Sequence, residues 1–381
     1  MKILHVLPLY HPILGGVQSH VSSIASGLKR RGHDVEVLTV AHVRQVPHEE
    51  IVDGVLVHRV SGVGPSDYRI PIGMASFLRS RSAKFDVVHA HNFGGLPLLI
   101  AATVCPNHLV ITPHYHGRGH DRMADALHRV YDPLARRILR QVPYVICVSR
   151  GEANQVATNL GIPREKLLVI PNIIDLPSEM RSQGSNPSDE SHVKTILTVG
   201  RLERYKRVDR VVAAIPFLPP EYQLVIVGPG PERENLIRQA KYLNVADRVH
   251  VPGYVSDEAI DLLYQSAAVV ISLSEGEAFG RVVIEGLAHQ CQIVCSSIPA
   301  FNDFMEDFPG SVILVQPNQS SKEIALVLEK AAHCLSLPID LSRFMEEPIL
   351  ERLEEVYQAV SHHQPGHSYT TTMPSPMHRF Q

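Results

Sequence analysis

Residues 268–289 read AVVISLSEGEAFGRVVIEGLAH. The first six form an apolar, β-branched run that is typical of a buried strand, and the polar residues after it mark the end of that strand. A second apolar stretch begins near Gly280 and has the spacing of a helix. A strand, a polar turn and a helix in this order indicate one crossover unit of a parallel α/β sheet.

The same unit recurs along the whole chain. Strand-like runs occur at 3–8, 35–40, 55–60, 87–89, 109–112, 144–148 and 167–170, and again at 195–200, 223–228, 249–253, 268–273, 292–296 and 311–315. A polar stretch rich in Ser, Asn and Pro separates the two series. We therefore predict an α/β chain with two facing Rossmann-like doubly wound domains, residues 1–176 and 194–345, joined by a linker at 177–193.

The ends of parallel strands give the expected place of the site. Ligands of open α/β sheets bind beyond the carboxyl ends of the strands, so a cleft between the two domains is the predicted binding site. After the second domain we predict a C-terminal helix at 346–360, with packing back on the N-terminal domain as one arrangement, and a disordered tail at 361–381.

Composition narrows the class of protein. The apolar fraction of 44% and charged fraction of 20% are typical of a globular chain, and a net charge of −3 gives no reason to expect nucleic-acid binding. Residues 1–176 carry a net +6 and the remainder −9. The five cysteines are expected to be reduced and mostly buried, which favours the cytoplasm. The longest mainly apolar stretch, 96–105, is too short to cross a bilayer, leaving peripheral contact with the inner membrane face as the alternative.

Charged residues follow two strands of the second half. Arg201 and Lys206 come directly after Gly200, where a guanidinium and an ammonium could together neutralise a diphosphate. Spacing alone equally permits a solvated basic loop. Glu277 precedes the helix that starts near Gly280, and Glu285 lies within it. A carboxylate at each end of an anion-binding helix start suits an extended sugar–diphosphate–nucleoside.

These segments resemble the retaining GT-B glycosyltransferases of family 4, also called glycosyl transferases group 1. Residues 277–285 resemble the family's E-x7-E signature, and Gly200-Arg201-Leu202 with Lys206 resembles its diphosphate clamp. Further segments fall in the family's order: Gly15-Gly16, His89-Ala90-His91, Thr112-Pro113-His114, Val148-Ser149, Pro171-Asn172 with Asp175, Gly228-Pro229-Gly230 and Val251–Val255. The resemblance spans about residues 1–360.

The resemblance implies an enzyme of the hexosyltransferase class that moves a sugar from a UDP- or GDP-linked donor to a hydroxyl acceptor, with retention of configuration. It implies no cofactor and no essential metal, and the chain contains no Asp-x-Asp. The acceptor would be a sugar, a lipid-linked molecule or a small molecule, in glycolipid, polysaccharide or glycoconjugate synthesis. The implied catalytic residues are Glu277, His114, Arg201 and Lys206, and the implied donor-binding residues are Gly15, Gly16, Gly200, Arg201, Lys206, Gly228, Val255, Phe279, Gly280, Arg281 and Glu285.

Some features leave alternatives open. Ile173 stands where the family usually has Gly, which puts the local turn in doubt. His89, His91, His114, His116 and His120 could form a metal site, although His114 as a residue of the cleft is the favoured interpretation. Basic residues of 122–141 could contact anionic lipid, with core packing as the favoured account. A sugar-nucleotide epimerase of the same architecture and a non-catalytic nucleotide-sugar sensor or partner subunit are the competing functions.

Overall fold

A computed structural model describes the chain over residues 1–13, 15–42, 46–64, 69–117, 133–174, 193–334 and 337–362. The chain divides into two compact units, Met1–Ile173 with Arg343–Gln381 and Ile174–Ser342. The N-terminal segment of the first unit ends at Ile173, three residues before the predicted domain end at residue 176. Asp175, nearly all of the predicted linker, most of the predicted tail and residues 122–132 of the basic segment lie outside the described residues.

The first unit is built on one sheet. Its strands are β1 (Lys2–Val6), β2 (Asp34–Val40), β3 (Glu49–Val52), β4 (Val55–Val63), β5 (Ile70–Ile72), β6 (Val87–His91), β7 (Leu109–Thr112), β8 (Tyr144–Cys147) and β9 (Leu167–Val169). They lie in the order β3-β4-β2-β1-β6-β7-β8-β9, with β5 paired to β4. All these pairings are parallel except those of β4 with β3 and β5. The central strands are almost wholly buried, as their continuous apolar runs require.

Two strands of this sheet have no counterpart in the predicted set. β3 and β5 are short, their residues are largely exposed or half-buried, and both pair antiparallel at the edge of the sheet. β3 begins with two glutamates and β5 contains a proline, residue types that are depleted in strands. Neither strand therefore has the long apolar run on which the prediction depends.

The helices of the first unit cover this sheet. They span Gly16–Arg30, Met74–Arg81, Leu96–Val104, 133–139, Arg150–Gln155 and Glu346–Ser361. The helix Gly16–Arg30 buries Val21, Ile24 and Leu28, which recur at the predicted helical spacing. Although Glu346–Ser361 is distant in sequence, it packs against this helix, and Arg31 donates to Glu354 at 2.8 Å. Its Tyr357 is fully buried in the core of this unit.

The second unit contains an entirely parallel sheet. Its strands are β10 (Lys194–Val199), β11 (Tyr222–Val227), β12 (Val249–Gly253), β13 (Ala267–Ser272), β14 (Gln292–Ser296) and β15 (Val312–Val315), in the order β12-β11-β10-β13-β14-β15. The helices span Val208–Ala214, Arg233–Tyr242, Asp257–Ser266, Arg281–Ala288, Pro299–Asp307 and Ser321–Ala332. Because β10 and β13 are central neighbours, the loops that follow them meet at one edge of the sheet.

The predicted class, two Rossmann-like α/β domains with parallel sheets, is confirmed. All five cysteines are free, four of them are buried and Cys334 is half-buried. Among the described residues, none of the helices has both the length and the apolar character needed to cross a membrane.

Candidate active site

The glycines after β10 and β11 allow two strand-end turns to stack directly on each other. Gly200 donates its N–H to the Val227 carbonyl at 3.0 Å, and Leu202 donates to Pro229 at 2.7 Å. A Cβ on Gly228 would collide with the backbone of Gly200, and Gly228 has a φ of +130°. Backbone packing thus requires glycine at residue 228, and a φ of +142° favours it at residue 200; the two turns place residues 201–206 at the end of β10.

Lys206 and Glu277, which are 71 residues apart in sequence, form an ion pair. Their side chains are only 21% and 18% exposed. Burial opposes the charge of Lys206, but the Glu277 carboxylate outweighs this effect, so the pKa of Lys206 is raised above its ordinary value. The lysine therefore stays protonated at neutral pH, and the loops after β10 and β13 are joined at the carboxyl edge of the sheet.

Two further contacts fix the same pair of loops. Glu275 donates its N–H to the Tyr205 carbonyl at 2.8 Å. Arg207 donates to the Glu275 carboxylate at 2.6 Å. These contacts join the residues on either side of Lys206 to Glu275, two residues before Glu277.

Arg201 is placed differently from Lys206. Its side chain is 53% exposed and lies 4.0 Å from the Glu203 carboxylate. A pair at this distance and exposure contributes little to stability. The guanidinium is therefore able to move toward an anionic ligand at small energetic cost.

The helix Arg281–Ala288 starts where backbone geometry demands a glycine. Gly280 has a φ of +101°, and a Cβ there would collide with the ring of Phe301. Phe279 is buried and packs edge-on against Phe304, with ring centroids 5.4 Å apart. The Phe279 side chain thus anchors the loop, and any contact of Phe279 with a nucleotide-sugar donor would come from its backbone. The first-turn N–H groups of such a helix have no intrahelical partner and favour an anion.

Glu285 is held by two donors on its two carboxylate oxygens. Tyr264 donates its hydroxyl to Oε2 at 2.9 Å, and Arg281 donates Nε–H to Oε1 at 3.1 Å. The remaining lone pairs of a carboxylate can still accept hydrogen bonds from a ligand. Arg281 Nη1 is buried and has no hydrogen-bond partner among the described residues. The Glu285 carboxylate is thus an oriented hydrogen-bond acceptor, and Arg281 Nη1 beside it is a hydrogen-bond donor that is not in use.

Tyr264 is in turn positioned by a second group that the sequence analysis missed. Its ring stacks on His289 with centroids 4.9 Å apart and an angle of 18°. His289 contacts the Asp261 carboxylate through Nε2 at 2.6 Å and the Glu285 carbonyl through Nδ1 at 2.8 Å. The spacing of His289 four residues after Glu285 was the available signal, since residues four apart share one helix face. Tyr264 lies on another helix, and its position depends on tertiary packing.

Val255 lies after β12, before the helix Asp257–Ser266. It lines an open, mostly apolar cavity of ≈ 980 Å³ together with Ile237, Val251, Leu262 and Leu263. The cavity lies between two helices and the edge strand β12, so this side chain meets apolar neighbours.

In the first unit, Gly15 and Gly16 precede the helix Gly16–Arg30. Gly15 is extended, and a Cβ there would meet the side chain of Gln18. No heavy atom of the described residues lies within 4 Å of a Cβ built on Gly16. Packing therefore gives no reason for glycine at residue 16, whereas close approach of a ligand does.

His114 follows β7 and has a φ of +49°, which is unusual for a residue other than glycine. The loop is fixed by buried Glu152, whose carboxylate accepts the N–H groups of Tyr115 and Val148, both at 2.6 Å. Burial lowers the pKa of His114 to about 3. The imidazole is therefore neutral at physiological pH. It can donate or accept a hydrogen bond, but it cannot serve as a cationic acid.

The structure brings the sequence-predicted residues into two groups. In the second unit Lys206 contacts Glu277, and Arg281 contacts Glu285, beside the glycine turns of β10 and β11 and the start of one helix. Gly15, Gly16 and His114 lie in the first unit. His120 is outside the described residues, and the histidines that do surround His114 include His20 and His91.

Two family models match consecutive parts of the chain. Glycosyltransferase Family 4 matches residues 14–177, and Glycosyl transferases group 1 matches residues 182–343. An uncharacterized glycosyltransferase of Methanocaldococcus jannaschii is 28% identical over 84% of this chain and 87% of its own length. Glycogen synthase of Mycobacterium tuberculosis is 28% identical over 78% of each chain.

A solved structure shares the whole fold. HepE of Anabaena, in complex with UDP-glucose, superposes with a TM-score of 0.73 at 20% identity, covering 94% of this chain and 100% of HepE. The two family models match the two α/β units in chain order. This match agrees with the cluster of charged groups at the strand ends of the second unit. The chain belongs to the family 4 glycosyltransferases of GT-B fold and is a transferase enzyme.

Proposed function

We propose that this glycosyltransferase moves a hexose-type sugar from a UDP- or GDP-linked donor to a hydroxyl acceptor, with retention of anomeric configuration. The observation that carries the proposal is the pairing of Lys206 with Glu277 beside a helix start whose Glu285 is already oriented by Tyr264 and Arg281. HepE binds UDP-glucose on the same fold, which supports a nucleotide-sugar donor.

The diphosphate is the part of the donor that this site suits best. Lys206 is protonated, Arg201 is exposed, and Arg281 holds a buried nitrogen without a partner. Together with the first N–H groups of helix Arg281–Ala288, these cations would neutralise the charge that grows on the leaving diphosphate. Because protein cations supply this charge, we propose that the transfer needs no metal ion and no cofactor.

The two carboxylates would hold the two ends of the donor. Glu285 would accept hydrogen bonds from ribose hydroxyls, since its remaining lone pairs are oriented by two fixed donors. Glu277 would accept from hydroxyls of the transferred sugar while it stays beside Lys206. In this assignment Gly228 shapes the turn, and Val255 contributes through the backbone near the base.

Transfer breaks the bond between the anomeric carbon and the diphosphate oxygen and forms a bond to the acceptor oxygen. Retention places the acceptor on the face from which the diphosphate departs, so the leaving phosphate oxygen can take the acceptor proton. Neutral His114 would hydrogen-bond the reacting sugar, and Gly16 would let the backbone approach the diphosphate.

Thermal-shift screening with UDP-, GDP- and ADP-sugars tests the donor class first. The expected result is stabilisation by one base series, followed by slow release of free nucleotide from that sugar donor. Binding without turnover under any acceptor would favour the sensor alternative. Interconversion of the donor sugar without release of nucleotide would favour the epimerase.

For the acceptor, we propose a lipid-linked molecule that the enzyme reaches at the membrane surface. The first half of the chain is basic, and a lipid-linked acceptor on the inner face of a membrane would suit it. Co-sedimentation with anionic vesicles, compared with neutral vesicles of the same size, tests this proposal. Equal recovery with both would refute an electrostatic contact and leave a cytoplasmic enzyme with a water-soluble acceptor.

A further inference from the structure

A group of histidines lies in the core of the first unit, at the ends of its central strands. Four are fully or almost fully buried and His114 is half-buried; the group comprises His5, His20, His89, His91 and His114. His5 is in register with His89 on the neighbouring strand, and His91 ends β6. His20 faces the group from the helix Gly16–Arg30, with its ring centroid 5.1 Å from that of His114.

The histidines of this group differ in how their ring nitrogens are used. His89 contacts the Tyr357 hydroxyl at 2.6 Å and the Thr112 hydroxyl at 2.8 Å, so both its nitrogens have partners. His5 Nδ1 and His91 Nε2 share one hydrogen bond at 3.0 Å. His5 Nε2, His91 Nδ1 and His114 Nε2 are buried and have no hydrogen-bond partner among the described residues.

A buried polar atom without a partner normally costs about 1–3 kcal/mol. Buried His58 of the same unit avoids this cost, because its two ring nitrogens contact the carboxylates of Glu36 at 2.8 Å and Glu49 at 2.9 Å. His91 Nδ1 and His114 Nε2 have neither a carboxylate nor a hydroxyl as a partner among the described residues. A ligand that binds these two nitrogens would remove that cost.

The geometry fits a metal ion. His20, His91 and His114 each bring one ring nitrogen within 4.8 Å of those of the other two. Zinc–nitrogen bonds of 2.0–2.1 Å place tetrahedral ligand nitrogens about 3.3 Å apart, so side-chain rotations that close the gaps by at most about 1.5 Å would complete the set. Burial keeps the pKa values of His91 and His114 low, and neutral imidazole is the form that binds metal.

We propose that His20, His91 and His114 form a binding site for a divalent transition-metal ion, with Zn²⁺ as the preferred ion. Three imidazoles and no carboxylate favour Zn²⁺, Co²⁺, Ni²⁺ or Cu²⁺ over Mg²⁺ and Ca²⁺. The half-buried side of His114 provides the path of entry, and a water molecule takes the fourth position.

A second triad, His5, His89 and His91, has the same proximity. Occupying it would require His89 to give up its hydrogen bond with Tyr357 or its hydrogen bond with Thr112. The triad around His114 needs none of these exchanges, and for this reason it is the one we assign.

Metal at this site would inhibit the enzyme. A bound ion occupies His114, which the proposed function places near the reacting sugar, so transfer should fall as the site fills. This consequence rests on the proposed function, whereas metal binding itself does not. The ion would be a regulator of an enzyme that needs no metal for the chemistry.

Metal binding is tested on the full chain by Zn²⁺ competition with a chromophoric chelator and by the visible absorption of bound Co²⁺. The tail sequence HHQPGH supplies competing ligands, so all variants are made in a chain with His362, His363 and His367 replaced by alanine. The parent chain should bind one ion. His20→Ala and His114→Ala should each weaken binding at least about tenfold, since each removes one of three ligands.

His5→Ala distinguishes the two triads, because it removes only a hydrogen-bond partner of His91 and should weaken Zn²⁺ binding less than His20→Ala and His114→Ala do if His20, His91 and His114 are the ligands. Loss of binding in His5→Ala with retention in His20→Ala would overturn the assignment in favour of the other triad. No bound ion in the parent chain, or binding untouched by His20→Ala and His114→Ala, would overturn the proposal. Thermal unfolding in EDTA checks that each variant is folded, and His114→Ala, at a half-buried loop, guards against misfolding of His20→Ala.

The inhibition is measured separately, as nucleotide release with and without stoichiometric Zn²⁺. Inhibition of the parent chain that is relieved by EDTA and absent in His20→Ala supports the regulatory role. If the chain binds Zn²⁺ but shows no turnover with any donor, the proposed function fails and the metal site stands. If turnover is present and Zn²⁺ binds without effect, the regulatory role is refuted.

Discussion

Replacing Lys206 with methionine removes the ammonium and keeps most of the aliphatic stem. This lysine is paired with Glu277, and both side chains are about one-fifth exposed. Breaking a fully buried pair costs about 3–5 kcal/mol, and partial exposure reduces this to about 1–2 kcal/mol. We therefore expect Lys206→Met to lower the free energy of unfolding by this smaller amount in urea titrations.

The expected effect on ligand binding is similar in size and is specific to the diphosphate part of the ligand. A hydrogen bond to a charged group contributes about 1.5–3 kcal/mol, which corresponds to a change in Kd of about 10- to 150-fold. Because the diphosphate must compete with Glu277 for Lys206, the lower end of this range applies. Calorimetry should show about tenfold weaker binding of the nucleoside diphosphate, with unchanged binding of the nucleoside alone.

Two variants serve as controls for this result. Arg204→Met removes a positive charge from the same turn, where Arg204 is exposed, and should change neither affinity. Glu277→Gln frees Lys206 from its partner, so the nucleoside diphosphate should bind as tightly or more tightly while sugar transfer falls. If Lys206→Met weakens the nucleoside and the diphosphate equally, Lys206 supports the fold of the site and does not bind the diphosphate.

Three further predictions concern the support of the site and the histidine core. Tyr264→Phe keeps the stack on His289 but removes the hydroxyl from Glu285, so nucleoside and nucleoside diphosphate should both bind about 3- to 10-fold more weakly by calorimetry; unchanged affinity for both would remove Tyr264 from the site. Gly280→Ala places a Cβ against Phe301 at positive φ and should cost about 1–3 kcal/mol in urea unfolding, whereas Gly16→Ala should cost much less. Burial lowers the pKa of His5 to about 3, so neutral His5 contributes its full stability above pH 6.5 and loses it as the pH falls. At pH 5 this loss is about 2 kcal/mol in the free energy of unfolding. In urea titrations, His5→Asn should therefore show a correspondingly smaller decrease in the free energy of unfolding between pH 7 and pH 5.

The strands were predictable because buried parallel strands have continuous apolar runs. Val87–His91 and Ala267–Ser272 are buried at every residue, and both were found from their composition. β3 and β5 were missed because an exposed edge strand does not need such a run. The family resemblance located Lys206 and Glu277, but the ion pair between them depends on the neighbouring positions of β10 and β13, which the order of strands along the chain does not give.

The residues that support Glu285 could not be read from the sequence for a similar reason. Arg281 and His289 are four residues from Glu285 on either side, and their contacts follow from helical spacing. Tyr264 approaches from another helix and Asp261 lies one turn before it, so their role is visible only in three dimensions. Likewise, the predicted group of histidines around His114 contained His116 and His120, whereas the structure supplies His20 from a helix and His5 from β1.

The pKa of Lys206 in the second unit is raised and the pKa of His114 in the first unit is lowered, and both shifts bear on the pH dependence of the enzyme. In the second unit Lys206 remains protonated through its ion pair, so the proposed donor site keeps this positive charge across the neutral range. In the first unit burial lowers the pKa of His114 to about 3, so its imidazole is neutral across the same range. Neither group changes its protonation between pH 6 and 8. If both act as proposed, the pH dependence of kcat/KM in this interval cannot arise from either of them, and an inflection that disappears in His114→Gln would show that His114 titrates during catalysis.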